Sequence, residues 1–190
     1  PQWRGPNRDA ASTRRAARAW PDTLTRRWRH PVGSGQSSPV VANGTVFLFT
    51  REGEMEVAQA LDLRTGRTVW RQGYPAPYSV YPGAASSGSG PKSTPVVHQG
   101  RLFTLGISGI LTGFDVKDGR ILWQKDFAGR FKATAPPFGA SMSPLVAGGL
   151  IVAHAGGHEG GALIAFDPAT GREKWTLEGD GPSYSSPILT

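Results

Sequence analysis

The stretch Ala60-Leu-Asp-Leu-Arg-Thr-Gly-Arg-Thr-Val-Trp70 decides the fold, because the chain repeats its frame at 113–123 and 165–175. In every copy an Asp lies four residues before a Gly, and that Gly lies four residues before a Trp. Successive tryptophans are 53 and 52 residues apart (70 to 123 and 123 to 175). A fixed period of this length indicates one supersecondary unit per repeat, stacked on its neighbours.

Each repeat predicts four short antiparallel strands. A Ser-Pro or Thr-Pro step with apolar residues opens the unit, and a turn such as Asn43-Gly44 leads into a β-rich run. Asn-Gly between apolar runs favours a type I′ hairpin, because both central residues need positive φ. A third strand ends at the repeated Asp, and a fourth carries the Trp. The sequence therefore predicts an all-β fold, an incomplete β-propeller with three full four-stranded blades and flanking strands.

The repeat spacing also predicts the domain boundaries. We expect a basic, Arg-rich segment at 1–26 and a partial propeller at 27–190, in which Trp28 fits the outer strand of a preceding blade. Because closed propellers need at least about four blades, we expect missing blades of the same propeller to be partners of this chain. Uncovered blade faces are expected to make the 190-residue chain aggregate or unfold with poor cooperativity. The predicted blades are residues 37–72, 93–125 and 143–177, followed by the first strand of a next blade at 185–190.

The net charge of +7 belongs to the start of the chain. Residues 1–30 hold eight arginines (4, 8, 14, 15, 18, 26, 27 and 29) and two aspartates, whereas the remaining 160 residues hold 13 basic and 12 acidic groups. We expect a solvated arm, with contact to anionic lipid or nucleic acid as the alternative, and no nucleic-acid groove on the propeller. The absence of cysteine excludes disulfides and thiol catalysis. No apolar run reaches the roughly 18–20 residues that a membrane span needs.

The phrase Ala-x-Asp-x-x-Thr-Gly-x-x-x-Trp, preceded by Ser-Pro-Val-Val and a Gly turn, resembles the repeat of PQQ-like (pyrroloquinoline-quinone-type) β-propellers. The copies at 60–70 and 165–175 fit it fully, whereas the copy at 113–123 has Gly113 for Ala and Asp118 for Thr. The opening stretch 2–8 resembles the start of large secreted bacterial propellers of this type, which implies a periplasmic or secreted protein. In that family the Trp docks between blades. The resemblance, together with turn capping by Asp, implies a structural role for Asp62, Gly66, Trp70, Asp115, Gly119, Trp123, Asp167, Gly171 and Trp175.

The resembling family divides by function. Quinoprotein dehydrogenases bind PQQ and calcium on the propeller axis and oxidise alcohols or sugars, whereas relatives of the outer-membrane assembly lipoprotein bind proteins. The first class implies a catalytic Asp, calcium-binding Glu, Asn or Asp residues and often a vicinal Cys pair, and the sequence contains no cysteine. We assign no catalytic or cofactor-binding residue and favour a non-catalytic binding or assembly scaffold. A PQQ- and calcium-dependent alcohol or sugar dehydrogenase is the alternative.

Strand direction predicts that the strand-two-to-three links and the inter-blade connections share one face, which we call the loop face. All four tyrosines (74, 78, 81 and 184) are expected in those connections. Aromatic and basic side chains on variable loops suit a protein, glycan or other small-molecule ligand. The alternative is that these rings pin Pro-rich loops to the blade rim. The predicted ligand or partner residues are Tyr78, Tyr81, Lys92, Arg130, Lys132, Phe138 and Tyr184.

His154 and the pair His158-Glu159 form a weak candidate metal site. Two histidines four residues apart converge on a helix, but the glycines around them and the β-rich flanks argue against a helix. We expect His158 and Glu159 at a hairpin tip and His154 at the end of the strand. Three alternating carboxylates, Glu52, Glu54 and Glu56, are expected to be solvated rather than calcium ligands.

Overall fold

Three four-stranded antiparallel sheets follow one another in a computed structural model that describes residues 2–5, 7–11 and 19–189. Within each sheet the strands lie in chain order, which is the arrangement of a propeller blade. Blade 1 contains β1 (Val40–Ala42), β2 (Thr45–Glu52), β3 (Met55–Asp62) and β4 (Thr68–Pro75). Blade 2 contains β5 (Val96–His98), β6 (Arg101–Leu105), β7 (Leu111–Asp115) and β8 (Ile121–Lys125). Blade 3 contains β9 (Leu145–Ala147), β10 (Leu150–Gly157), β11 (Gly160–Phe166) and β12 (Glu173–Gly179).

The turn between the first two strands has the predicted conformation in every blade. Asn43 and Gly44 have φ values of 47° and 76°, so both central residues are left-handed. The turns at 99–100 and 148–149 show the same pair of positive values. This is the type I′ geometry that matches the twist of the flanking strands.

A β-bulge before the tryptophan recurs in all three blades and is not predicted by the sequence pattern. In blade 1, Ala60 pairs with Trp70 and Leu61 pairs with Thr68, so Val69 is the extra residue. The register shifts at the same point in blades 2 and 3. A bulge locally bends and twists a strand and so changes the direction of the neighbouring side chain.

The core lies between blades rather than within them. Blade 1 presents Phe47, Phe49 and Trp70 to Leu102 and Phe114 of blade 2. The other face of blade 2 packs on blade 3 in a second buried cluster. Blade 2 is therefore covered on both faces, and its strands are apolar on both faces for that reason.

The tryptophans make the same inter-blade contact three times. The indole N–H donates to the carbonyl of the residue after the Asp of the following blade: Trp28 to Leu63 at 2.9 Å, Trp70 to Val116 at 2.8 Å and Trp123 to Pro168 at 3.0 Å. Each ring also covers the turn glycine of that blade so closely that a Cβ would overlap the ring. The glycines are Gly66, Gly119 and Gly171. Trp175 has no such neighbour within the described residues and is 44% exposed.

The two ends of the chain differ from the blades. The segment around Trp28 forms no strand, and neither do residues 185–189, because no partner strand lies beside them in the described part of the chain. Three arginines of the basic segment (14, 15 and 18) and Thr190 lie outside the described residues. The solvated-arm prediction is wrong for Arg8, which is 3% exposed and donates to Pro144 O at 2.8 Å. No described residue belongs to a helix that is long and apolar enough to cross a membrane.

Candidate functional site

Four rings from four separate segments meet on the loop face. Phe138 lies at the centre, with its ring centroid 5.6 Å from that of Tyr81 and 5.8 Å from that of Tyr184. Tyr184 in turn meets His158 edge to face at 5.5 Å. Tyr81, Phe138 and Tyr184 are 51%, 39% and 42% exposed, so the rings touch one another and still present area to solvent.

Hydrogen bonds hold this group in place. Lys92 Nζ donates to the Phe138 carbonyl at 2.7 Å, and the Tyr78 hydroxyl donates to the Pro137 carbonyl at 3.4 Å. The Phe138 N–H donates to the Tyr184 hydroxyl at 3.3 Å, which also lies 3.1 Å from His158 Nε2. The loop-face cluster is therefore Tyr78, Tyr81, Lys92, Phe138, His158 and Tyr184.

A cleft of about 820 Å³ adjoins the cluster and shares Tyr81 and His158 with it. Arg130 and Lys132 line the cleft, as does the hairpin tip between β10 and β11. Arg130 forms a 2.7 Å ion pair with Glu173, and Lys132 pairs with Glu159. The structure thus brings all seven predicted loop-face residues to one cluster and its adjoining cleft.

Partial burial changes the acidity of two members of the cluster. It raises the pKa of Tyr78, to which the nearby Tyr184 contributes as a smaller cause. It lowers the pKa of Lys92, because desolvation disfavours an ammonium group.

The histidines of the candidate metal site face different surroundings. His158 and Glu159 do lie at a hairpin tip, where they contact Tyr184 and Lys132. His154 lies within β10 rather than at its end, and its Nε2 is 2.9 Å from the Asp180 carbonyl. Across residues 2–5, 7–11 and 19–189, no three His, Asp or Glu side chains converge on a point. The described residues therefore offer no cluster of three carboxylate or imidazole side chains as calcium ligands.

The repeated aspartates cap turns. Asp62 Oδ1 accepts from the N–H groups of Arg64 and Thr65 and from the Thr65 hydroxyl. Those bonds, with the Thr65 hydroxyl first, lower the pKa of Asp62, and the equivalent bonds from Thr170 lower the pKa of Asp167. Asp115 accepts from the Lys117 N–H at 2.9 Å.

Glu56 is a further side chain whose predicted position is wrong. It is fully buried between blades 1 and 2, not solvated, and accepts from the Ile107 N–H at 2.7 Å and from the Tyr74 hydroxyl at 2.9 Å. Burial raises the pKa of Glu56, and the two hydrogen bonds oppose that rise without cancelling it. Tyr74 itself lies in β4 rather than in a connection. The two-residue period of β3, which puts Glu56 on the same face as Ala58 and Ala60, could have found this burial.

The repeat geometry agrees with the comparisons with known proteins. The family model described as outer membrane protein assembly factor BamB matches residues 10–86 and 54–189, which together span nearly the whole chain. The chain belongs to the BamB family of PQQ-like repeat proteins. This confirms the resemblance drawn from the repeated phrase, and the three sheets confirm the propeller fold.

Relatives of this BamB-family chain include both functional classes. It is 30% identical over 145 residues to the outer membrane protein assembly factor BamB of Kangiella koreensis, covering 76% of the chain and 32% of that relative. It is 28% identical over 151 residues to the quinohemoprotein alcohol dehydrogenase ADH-IIG of Pseudomonas putida, covering 76% of the chain and 20% of that enzyme. The chain spans a third or less of these relatives.

Among solved structures, a europium-containing methanol dehydrogenase superimposes with a TM-score of 0.57 at 22% identity. The match covers 76% of the BamB-family chain and 24% of that enzyme. At this identity the likeness shows the propeller fold alone.

Proposed function

We propose that this chain is part of an exported bacterial scaffold, periplasmic or secreted, that binds a protein partner and performs no catalysis. The observation that carries the proposal is the loop-face cluster, in which exposed aromatic rings stand beside a cleft edged by Arg130 and Lys132. The similarity to the assembly factor of Kangiella koreensis supports the same function.

The cluster has the properties of a protein-binding surface. Tyrosine and arginine dominate the energetics of protein interfaces, because they bury a large area and still form hydrogen bonds. Hydrogen bonds from Lys92 and Tyr78 hold the Phe138 segment, so little conformational entropy is lost when a partner orders this surface. The ion pairs of Arg130 and Lys132 lie at the edge, where a polar rim is expected.

Site-specific photocrosslinking in the native organism tests this function. A photoreactive phenylalanine replaces Tyr81, and the matched control places it at Val69, which is 57% exposed on β4 near the opposite end of blade 1. We expect a discrete adduct with one protein from position 81, its loss when Arg130→Ala and Lys132→Ala are added, and no such adduct from position 69. Equal labelling from both positions contradicts a specific loop-face partner.

A PQQ-dependent dehydrogenase is the second candidate, and the similarity to quinohemoprotein alcohol dehydrogenase ADH-IIG favours it. The full-length protein is reconstituted with PQQ and Ca²⁺, and cofactor absorbance and dye reduction with alcohols are measured. Saturable PQQ binding with turnover would replace the scaffold function with this one. We expect neither.

A further inference from the structure

A second pocket, of about 490 Å³, lies beside the inner ends of blades 2 and 3. The first strands of the blades, β1, β5 and β9, neighbour one another and form the inner side of the propeller. Lys92 and Ser143 precede β5 and β9 by a few residues, so the pocket opens where the inner strands begin. We call it the axial pocket.

The lining of the axial pocket is rich in hydrogen-bond donors. Arg4 and Lys92 supply two cations, and Ser141, Ser143 and Ser186 are among its hydroxyl groups. None of the described residues that line it is acidic, and no carboxylate in the described part of the chain pairs with Arg4 or Lys92.

Two of the serines are oriented by bonds between neighbouring segments. Ser143 Oγ accepts from the Thr94 N–H at 3.0 Å, and Ser186 Oγ accepts from the Ser143 N–H at 2.9 Å. Because each oxygen already accepts a backbone proton, its own O–H is left to donate elsewhere. In the described ranges neither hydroxyl donates to a protein acceptor, and both serines line the pocket.

Successive turns at the start of the chain place Arg4 in the lining of the pocket. Arg4, Arg8 and Ala10 have φ values of 59°, 58° and 61°, a conformation that non-glycine residues keep only where the surroundings impose it. Arg8 imposes it here, since its buried guanidinium donates to Pro144 O at 2.8 Å and to Ser143 O at 3.2 Å. The guanidinium groups of Arg4 and Arg8 both lie near the Trp3 ring, at 5.4 Å and 5.3 Å from its centroid.

We propose that the axial pocket binds an oxyanion, a carboxylate or a phosphate group, through Arg4, Lys92 and the hydroxyls of Ser143 and Ser186. Cations and O–H donors without an acidic neighbour match a ligand that only accepts hydrogen bonds. Partial burial lowers the pKa of Lys92, and a bound anion would offset that desolvation. This site shares Lys92 and Tyr184 with the loop-face cluster. It goes beyond the proposed function, because it needs no protein partner and does not use the adjoining cleft.

Calorimetric titration of the purified full chain at low ionic strength tests the site. The probes are inorganic phosphate and succinate, and neutral succinamide is the matched control ligand. We expect saturable binding of phosphate, succinate or both, and none of succinamide. Phosphate binding alone identifies a phosphate site, and succinate binding alone identifies a carboxylate site.

Charge-removing variants locate the binding. The pair Arg4→Gln and Lys92→Met is expected to weaken binding at least about tenfold, because hydrogen bonds to charged groups are the strong ones. The control pair Arg120→Gln and Lys117→Met removes the same charges from an exposed turn of blade 2 and should leave binding unchanged. Ser186→Ala tests the hydroxyl contribution without removing any charge, and a smaller loss is expected.

Two results overturn the proposal. One is that neither phosphate nor succinate binds saturably to the wild-type chain. The other is that the Arg4 and Lys92 pair binds as tightly as wild type while its circular dichroism spectrum is native. A failed crosslink at Tyr81 would remove the proposed function and leave this site intact, so the two proposals fail separately.

Discussion

The two tryptophans Trp123 and Trp175 occupy the same place in successive blades, yet their surroundings differ. Trp123 is 8% exposed, stacks near Phe166 and donates to the Pro168 carbonyl. Trp175 is 44% exposed, and Leu177 beside it is 66% exposed. The repeated phrase therefore encodes half of an interface, and the other half is the Gly turn of the following blade.

Trp123 and Trp175 contribute differently to the stability of the fold because their neighbours differ. Both tryptophans pair across the ladder with a small residue of their own sheet, Gly113 for Trp123 and Ala165 for Trp175. The second contact of the ring and the acceptor for the indole N–H both come from the next blade. Stability in a propeller accordingly resides between repeats, as in other stacked-repeat proteins.

The largest expected effect separates the two tryptophans directly. Trp123→Ala should destabilise the chain by about 3–5 kcal/mol, the usual cost of truncating a buried Trp. Trp175→Ala should cost less than about 1 kcal/mol, because its ring is already largely in solvent. Urea unfolding in dilute solution measures both. Equal losses would contradict the half-interface interpretation.

Two glycines isolate the contact between a tryptophan ring and the turn of the next blade. Gly119 and Gly44 both have a φ of 76°, so an alanine meets the same unfavourable φ at either position. A Cβ at 119 overlaps the Trp70 ring, whereas a Cβ at 44 meets nothing within 4 Å. Gly119→Ala should therefore be less stable than Gly44→Ala by about 1–3 kcal/mol. Identical urea midpoints would show that Trp70 moves aside at no cost.

The Glu56 carboxyl, buried between blades 1 and 2, is expected to make the stability of the chain depend on pH. Burial holds the pKa of Glu56 above its ordinary value of 4.5, so the folded chain keeps a proton that the unfolded chain has lost. The stability that this adds is complete below the unfolded pKa and is lost as pH rises through the folded pKa. The stability of wild type relative to Glu56→Gln should therefore fall above about pH 4.5, by about 1.4 kcal/mol for each pH unit between the two pKa values.

Other titrating carboxylates do not affect the difference between wild type and Glu56→Gln. Asp62 and Asp167 have lowered pKa values, so they act with the opposite sign, but they are present in both proteins and cancel in the difference. Urea midpoints from pH 4 upward test this. Parallel curves would show that the Glu56 carboxyl has the same pKa in the folded and unfolded chains.

The smallest effect on stability is expected at the open face of blade 3. Wild-type chain should self-associate or unfold with poor cooperativity, because no described residue covers Trp175 and Leu177 on this sheet face. Leu177→Lys should reduce association in sedimentation velocity and change the free energy of unfolding by less than about 0.5 kcal/mol. Val69→Lys, at a similarly exposed site in blade 1, should leave association unchanged. A sharp, reversible transition of a wild-type monomer would contradict this.

Much of the fold could be predicted from local patterns. The type I′ turns need positive φ at fixed positions, which Asn43 and Gly44 satisfy, and the Asp-Gly-Trp spacing marks the last two strands of each blade. The bulge residue Val69 escaped prediction because a register shift leaves no mark in a one-dimensional period. The seven loop-face residues were proposed from strand parity, which places alternate connections at the same end of the blades.

Local sequence is enough to specify the repeat unit: its four strands, its turns and the tryptophan that projects from it. These are local features, set by backbone preferences within a few residues. The pairing of distant segments, by contrast, depends on the tertiary structure. Glu56 meets Ile107 across two blades, and Arg8 reaches Ser143 and Pro144 from the opposite end of the chain. Such contacts form only when the blades stack. The repeat period in the sequence does not specify which residues of two different blades will then lie side by side.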